Sequence, residues 1–137
     1  MRRVVITGLG AVSPVGIGVE AMWDSLTAGR SGIAPITAFD ASAYSTRFAG
    51  CVDGWDPTPW IDAKEARRLS RFQQFAVAAA DMAVDDAGLV IDEAEAERVG
   101  VIVGSGIGGL HAMEEQKSVL DEKGPGRVSP FLVPMMI

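Results

Sequence analysis

The sequence is poor in the residues that carry most side-chain chemistry, with one cysteine, Cys51, and one histidine, His111. A single thiol excludes an internal disulfide and a Cys-x-x-Cys metal pair, so we expect a cytoplasmic protein. No second ligand stands at metal spacing beside His111, and no base stands near Cys51 in the chain. We expect Cys51 to be a small buried hydrophobic residue. Because a nucleophile and its base must be positioned together, the residues present support no reaction by themselves.

Positive charge and long uninterrupted apolar runs are also scarce. The 18 acidic residues outnumber the 12 basic ones, which gives a net charge of −6. This balance argues against non-specific nucleic-acid binding, which requires a basic surface. Residues 4–19 and 99–113 carry no charge, but glycines interrupt both, so we expect neither an export signal nor a membrane span. The chain has instead 48% hydrophobic residues and 16 glycines, a composition typical of a globular protein with many small buried residues.

Three short segments have the pattern of strands. Arg3–Thr7 and Val99–Val103 are β-branched runs next to glycine, which predicts two buried strands. Thr46–Val52 is a further strand candidate. Because these segments alternate with helical ones, the sequence favours an α/β fold with a largely parallel sheet.

A first helix is predicted near the start of the chain. Val19, Met22, Trp23 and Leu26 recur at the spacing of one apolar helical stripe. Gly29 stands where a glycine ends such a helix.

The longest predicted helix runs from Asp62 to Gly88. Asp62 and Glu65 fit a capping box, Gly88 fits the position after the last turn, and nothing between them breaks the pattern. Its apolar face is rich in alanine, which predicts close approach to another helix or to a sheet. The residues within a roughly 100° arc of that face are Leu69, Phe72, Ala76, Ala79, Ala80, Ala83 and Ala87.

A third helix is predicted over Leu110–Glu122, with Ser105 as its cap. The chain then ends in an apolar run, Val128–Ile137, that has no polar tail. Because domain ends are normally exposed and polar, we expect the chain to be a fragment of a longer protein.

The loop GSGIGG at 104–109 matches the glycine spacing of a dinucleotide-binding turn. That motif requires an acidic residue at the end of a second strand about 20 residues later. Pro125, Pro130 and Pro134 occupy that stretch instead, and proline does not belong in a central strand. We therefore favour a turn in which the backbone passes close to neighbouring elements.

The segment from Lys64 to Arg71 carries a net positive charge in an otherwise acidic chain. On a helix, Lys64, Arg67, Arg68 and Arg71 fall within about 100° of one another. A solvated helix face is the simpler interpretation. The alternative is a docking surface for an acidic partner, because such patches steer association.

Five phrases of the sequence, taken together, resemble the elongating β-ketoacyl-acyl-carrier-protein synthases of the type II class. They are RRVVITGLGAVSPVG at 2–16, LTAGRSGI at 26–33, FDASAYSTRFAG at 39–50, GSGIGG at 104–109 and SPFLVP at 129–134. They occur in the family's order and at compatible spacings over nearly the whole chain. The resemblance implies an incomplete thiolase-like layered α/β/α fold, with 1–137 as part of the N-terminal domain.

The resemblance also implies an activity. Such enzymes condense an acyl chain, held on a cysteine, with malonyl on acyl carrier protein by decarboxylative Claisen condensation in fatty acid elongation. They are homodimers and use no redox or nucleotide cofactor. The family's nucleophilic cysteine and two histidines would lie beyond Ile137, so Cys51 and His111 do not match them and the chain alone is expected to be inactive. The alternative is a non-catalytic chain-length-factor-like subunit of a type II polyketide synthase.

Six residues can be assigned roles from the resemblance. Those that match carrier-protein contacts are Lys64, Arg67, Arg68 and Arg127, which favours the docking interpretation of the basic segment because acyl carrier proteins are acidic. Ile107 matches the residue that borders and gates the acyl pocket. Leu132 matches a position that reaches toward the partner subunit's pocket. Gly126 stands where relatives often have a second basic residue, and relatives often have phenylalanine at the position of Leu132.

Overall fold

The computed structural model describes residues 3–137, which form short strands and helices. The strands are β1 (Val12–Ser13), β2 (Gly16–Ile17), β3 (Ile33–Pro35) and β4 (Phe48–Gly50). The α-helices are α1 (Val19–Thr27), α2 (Ala63–Ala66), α3 (Arg71–Ala87), α4 (Leu110–Lys123) and α5 (Leu132–Met136), and 3₁₀ turns cover Ala96–Arg98 and Pro125–Arg127. Among the described residues, none of the helices combines the length and hydropathy that a bilayer crossing demands.

The chain divides into two compact units. The first contains the residues up to Asp56 together with Ala79–Leu89, and the second contains Pro57–Ala78 and Val90–Ile137. Helix α3 therefore contributes its N-terminal half to the second unit and its C-terminal half to the first.

Two antiparallel hairpins lie in the first unit. Strand β1 pairs with β2 through Val12 and Ile17, and β3 pairs with β4 through Ala34 and Ala49. Strand β4 confirms the strand predicted within Thr46–Val52. Both ladders are antiparallel, whereas the alternation of elements had predicted a largely parallel sheet.

Helix α1 confirms the first helical prediction. It spans Val19–Thr27, and Gly29 follows it with a φ of 66°. The N–H of Gly29 donates to the carbonyl of Leu26 at 3.1 Å. The left-handed conformation that this turn requires is the reason for a glycine at this position.

The long helix predicted from Asp62 to Gly88 is two helices, so the prediction of an unbroken helix was wrong. Both of its ends are confirmed. Asp62 caps α2 by accepting from the N–H groups of Lys64 and Glu65, and Gly88 ends α3 with a φ of 58°. The chain leaves the helical path between Arg67 and Ser70.

Two glutamine side chains stabilise the break. The Oε1 atom of Gln73 accepts from the N–H of Ser70 at 2.8 Å, which starts α3 afresh. The Nε2 atom of Gln74 donates to the carbonyls of Ala66 and Leu69 at 2.9 and 3.2 Å. Because the backbone groups at both helix ends find side-chain partners, the interruption costs little hydrogen bonding.

The predicted buried strands Arg3–Thr7 and Val99–Val103 are not strands in the structure. Val4 is 95% exposed and Ile102 is 99% exposed. A strand needs a neighbour for its backbone N–H and C=O groups, and residues 3–137 supply no paired neighbour to either segment. Their apolar composition is that of strands, but the described chain does not cover them.

The alanine face of α3 is closely approached, as predicted, but by the irregular segment 8–10 of the first unit and not by another helix or a sheet. A Cβ added at Gly8 would collide with the carbonyl oxygen of Ala83, and one at Gly10 would collide with that of Ala79. The N–H of Leu9, between these glycines, donates to the Asp86 carboxylate at 2.9 Å. The backbone at 8–10 can approach α3 because it carries no side chain at two of three positions.

Helix α4 confirms the third helical prediction, with one correction. Its cap is Gly109, which provides no side-chain hydrogen bond. Ser105 accepts instead from the N–H of Gly108 at 2.9 Å, so it stabilises the preceding turn rather than the helix. Among the described residues, few apolar side chains are buried: Ala41 in the first unit, and Ile61, Ala66, Ala78 and Ala112 in the second.

Candidate functional site

The predicted docking cations lie on and just after the short helix α2, in the second unit. Lys64, Arg67 and Arg68 are all exposed. The Nε atom of Arg67 donates to the carbonyl of Ala63 at 3.0 Å, so part of its guanidinium is used within the same turn. The N–H of Arg68 donates to the carbonyl of Glu65 at 2.8 Å, which fixes its backbone where the helix ends.

Asp62 organises the N-terminus of this basic turn. Its carboxylate accepts from the backbone N–H groups of Lys64 and Glu65 at 2.8 and 3.0 Å. The hydrogen bond from Glu65, then that from Lys64, and the charges of Arg68 and Arg67 hold the pKa of Asp62 below its ordinary value of 3.8. Asp62 is therefore ionised at neutral pH and stabilises the helix that presents the cations.

A groove of about 380 Å³ runs beside α2. Its apolar lining includes Phe131 and Pro134 from the SPFLVP segment, and its charged lining is Lys64 and Arg68 together with the acidic Asp62 and Glu65. The Cζ atom of Arg68 lies 4.7 Å from the centroid of the Phe131 ring. Two of the four predicted docking cations, Lys64 and Arg68, thus line one groove together with the ring of Phe131.

Arg127, the fourth predicted cation, is exposed at the end of the 3₁₀ turn Pro125–Arg127. It does not line the groove. It precedes Phe131 by four positions, so their Cα atoms are at most about 14 Å apart. The intervening Ser129 is held by its N–H, which donates to Oε1 of Gln116 on α4 at 2.7 Å. Arg127 therefore lies near the groove without being part of it.

Ile107 lines a second, larger cavity of about 650 Å³ in the same unit. The side chain is 75% exposed. The cavity is mostly apolar, and its large apolar lining residues are Leu69, Phe72, Val77, Val103, Ile107, Met136 and Ile137. Leu69 lines both this cavity and the groove beside α2, so the two adjoin at that residue.

The glycines of GSGIGG allow close approach to the last turn of α5. A Cβ at Gly108 or Gly109 would meet the backbone of Met136 or Met135. The N–H of Gly109 donates to the carbonyl of Met136 at 3.2 Å. The stretch that a dinucleotide site would need as a strand is a 3₁₀ turn and a helix. The geometry therefore favours the predicted turn over a nucleotide site.

Leu132 is the first residue of α5 and is half-buried. It does not line the cavity that contains Ile107, although Met136 and Ile137 from the same segment do. The two residues assigned to acyl binding are therefore not brought together within this chain.

Sequence reasoning missed two features of the site. The pattern Ser70-x-x-Gln73 is a capping box and would have shown that a helix begins there. Ser70 also donates its hydroxyl to the carbonyl of Met135, and Nε2 of Gln73 donates to the carbonyls of Pro134 and Ile137 at 2.7 and 2.8 Å. The contact between Arg68 and Phe131 has no local sequence signal, because it joins distant parts of the chain.

Cys51 and His111 take no part in this site. Cys51 is half-buried in the first unit and is a free thiol. His111 is exposed on α4 in the second unit, with its Nε2 atom 3.5 Å from the Glu115 carboxylate. Over residues 3–137, no three side chains of the usual metal-ligating types are grouped to hold an ion.

The comparisons with known proteins agree on one family. The sequence profile of the family described as "Beta-ketoacyl synthase, N-terminal domain" matches residues 1–137. The chain is 52% identical over 136 residues to "3-oxoacyl-[acyl-carrier-protein] synthase 2" of Synechocystis sp., a match that covers 99% of this chain and 33% of that protein. The chain thus spans about a third of the length of the curated relatives it matches.

Solved structures agree on the fold. The structure titled "The ishigamide ketosynthase/chain length factor" superimposes with a TM-score of 0.77 at 36% identity, over 97% of this chain and 33% of that one. A type II ketosynthase solved in complex with its acyl-carrier protein superimposes with a TM-score of 0.73 over 97% of this chain and 34% of that one. At 21% identity the latter shows the fold alone. These neighbours confirm the predicted fold class, a partial thiolase-like α/β fold.

Proposed function

We propose that this chain, which belongs to the β-ketoacyl synthase family, is part of a 3-oxoacyl-[acyl-carrier-protein] synthase II that elongates fatty acids. The complete enzyme would condense an acyl thioester with malonyl-acyl-carrier-protein by decarboxylation. The printed name of the relative that is 52% identical supports this assignment. The nucleophilic cysteine and the two histidines would be contributed by polypeptide beyond Ile137.

Within that enzyme, we assign two roles to the second unit of this chain. Lys64, Arg67, Arg68 and Arg127 would dock the acyl carrier protein, and Ile107 would gate the acyl pocket. The observation that carries the proposal is the position of Leu69, which lines both the groove with Arg68 and the cavity with Ile107. A carrier bound at the cations would therefore lie beside an apolar cavity able to contact its acyl chain.

The charge distribution supports the docking role. The chain has a net charge of −6, yet three of its twelve basic residues, Lys64, Arg67 and Arg68, lie on the turn that follows Asp62. An acidic carrier would be repelled by the chain as a whole and attracted at this surface. Such an arrangement selects the orientation of the encounter more than it raises the affinity.

A chain-length-factor-like subunit remains a second candidate, because a structure that superimposes at 36% identity is titled a ketosynthase/chain length factor. The two candidates differ at one position downstream of Ile137. A cysteine at the family's strand–helix junction would make the complete protein an enzyme, and a glutamine there would make it a partner subunit.

We also propose that the complete protein is a cytoplasmic homodimer in which Leu132 reaches toward the partner subunit's pocket. Leu132 opens α5 and is only half-buried in this chain. Sedimentation of the complete protein at the mass of a monomer would contradict the dimer.

Charge reversal tests the docking role. We expect Arg67→Glu with Arg68→Glu, in the complete protein, to weaken acyl-carrier-protein binding at least tenfold at low salt. The loss should shrink as salt is added, because screening removes the electrostatic part of the interaction. The measurement is the Kd for the carrier protein by calorimetry or fluorescence anisotropy at two ionic strengths.

Arg98→Glu provides the matched control. Arg98 is exposed in the 3₁₀ turn Ala96–Arg98 and lines neither the groove nor the cavity. Its reversal changes the net charge in the same direction, by half as much as the double reversal, and should leave carrier affinity within about twofold. A change in binding free energy half as large as that of the double reversal would mean that overall charge, and not the surface after Asp62, governs binding.

A further inference from the structure

Arg68, one of the proposed docking cations, contacts an aromatic ring, that of Phe131. The guanidinium carbon lies 4.7 Å from the ring centroid, well within the range of about 6 Å in which a cation is attracted to an aromatic face. Both side chains line the same groove. Phe131 is 38% exposed, so the ring forms part of the surface that a partner meets.

The backbone of Phe131 is held on both sides. Its N–H donates to Oγ of Ser129 at 3.1 Å, and Ser129 is itself bound to Gln116 of α4. The carbonyl of Phe131 accepts from the N–H of Met135 at 2.9 Å, within α5. The backbone that carries the ring is therefore connected to α4 and to α5 before any partner binds.

Arginine side chains, by contrast, lose much rotational freedom when a partner binds them. A contact that already restricts Arg68 in the free protein lowers this entropic cost. The ring carries no charge, so it leaves the positive charge of Arg68 available for an acidic group. Arg67 differs, since its Nε atom is hydrogen-bonded to Ala63.

We infer that Phe131 is a positioning residue for carrier docking: its ring holds the Arg68 guanidinium at the groove, ready for a carboxylate of the acyl carrier protein. This inference rests on the proposed carrier-docking function. The inference adds Phe131, from the SPFLVP segment, to the residues proposed for docking. Phe131 would affect docking through Arg68 and not through contact with the acyl chain.

A double-mutant cycle on the complete protein tests the inference, with the Kd for acyl carrier protein as the measurement. Phe131→Leu should weaken binding about two- to fivefold, the size of an exposed cation–π contact. Phe131→Tyr keeps an aromatic face and should restore binding. In the background of Arg68→Met, Phe131→Leu should have no further effect, because the cation that it positions is absent.

Phe75→Leu is the matched control, because Arg71 lies 5.4 Å from the Phe75 ring in a second cation–aromatic pair. Phe75 does not line the groove, so carrier affinity should not change. The positioning role is wrong if Phe131→Leu weakens binding equally with and without Arg68. It is also wrong if Phe131→Leu leaves binding unchanged in the protein that retains Arg68, although Arg68→Met weakens binding. If the unsubstituted protein does not bind carrier protein, the proposed function fails instead.

Discussion

Asp62 shows how one side chain can serve both the fold and the charge pattern of the site. Its carboxylate satisfies two N–H groups at the start of α2 and lies within the electrostatic reach of Arg68 and Arg67. The helix that presents the cations is only four residues long. So short a helix depends on its cap more than on helix propensity.

We predict a pH-dependent stability that depends on Asp62. Because the folded pKa of Asp62 lies below the ordinary value of 3.8, its ionisation stabilises the fold above about that pH, and this contribution disappears as pH falls through the lowered pKa. Asp62→Asn keeps the capping oxygen but removes the charge. Its melting temperature should lie below that of the unsubstituted chain at neutral pH and converge with it in acid, as measured by circular dichroism.

Asp62→Ala supplies the second arm of this experiment. It removes the capping oxygen as well as the charge, so it should be less stable than Asp62→Asn at neutral pH. A difference between the unsubstituted chain and Asp62→Asn that persists unchanged into acid would contradict the role of ionisation.

For single residues, the sequence predicted the roles that depend only on neighbouring positions in the chain. The capping position of Asp62 and the basic run at Lys64–Arg68 follow from spacing alone. Phe131 could not be predicted, since the side chain that it meets is far away in the chain and no periodicity links them. The predicted roles of Ile107 and Leu132 in acyl binding come from the resemblance and stay predictions.

Among the helices and strands too, the sequence predicted the features that depend on nearby residues better than those that depend on distant ones. Helices α1 and α4 were predicted because their hydrogen bonds close within the segment. The break between α2 and α3 was missed, although the Ser70-x-x-Gln73 capping pattern marks it. The segments 3–7 and 99–103 were wrongly predicted as buried strands because a strand is completed by a partner, which local sequence does not reveal.

The packing of α3 against the first segment leads to a prediction about glycine. Gly8→Ala places a Cβ against the carbonyl oxygen of Ala83 and the side chain of Ala87. We expect a loss of about 1–3 kcal/mol in the free energy of unfolding, because neither backbone can move without disturbing its own element. Urea unfolding monitored by the helical signal is the measurement.

Gly100→Ala is the control for this substitution. Gly100 has no heavy atom within 4 Å of its added Cβ and does not have a positive φ. Its replacement should leave the unfolding midpoint unchanged or slightly raised. A loss as large as that of Gly8→Ala would mean that chain flexibility, and not close packing, explains the glycines.

For the molecule as a whole, we predict that the 137-residue chain alone has no condensing activity. Cys51 lies in the first unit and His111, which is close to the Glu115 carboxylate, lies in the second, and the resemblance matches neither residue to a catalytic position of the family. Purified chain incubated with malonyl carrier protein should release carbon dioxide no faster than the carrier alone. Decarboxylation that disappears in a Cys51→Ser variant would overturn this expectation.

The uncovered apolar segments predict marginal stability and self-association of the isolated chain. Val5 is 72% exposed and Ile102 is 99% exposed, in β-branched runs whose backbones can pair with another copy. Val5→Lys with Ile102→Lys should reduce light scattering without changing the melting curve.

The net charge of −6 moves toward zero in this double variant, which by itself favours association. Ala21→Lys, an exposed position on α1, should therefore give no reduction. A cooperative, monomeric melt of the unsubstituted chain at high concentration would show that these segments do not drive association.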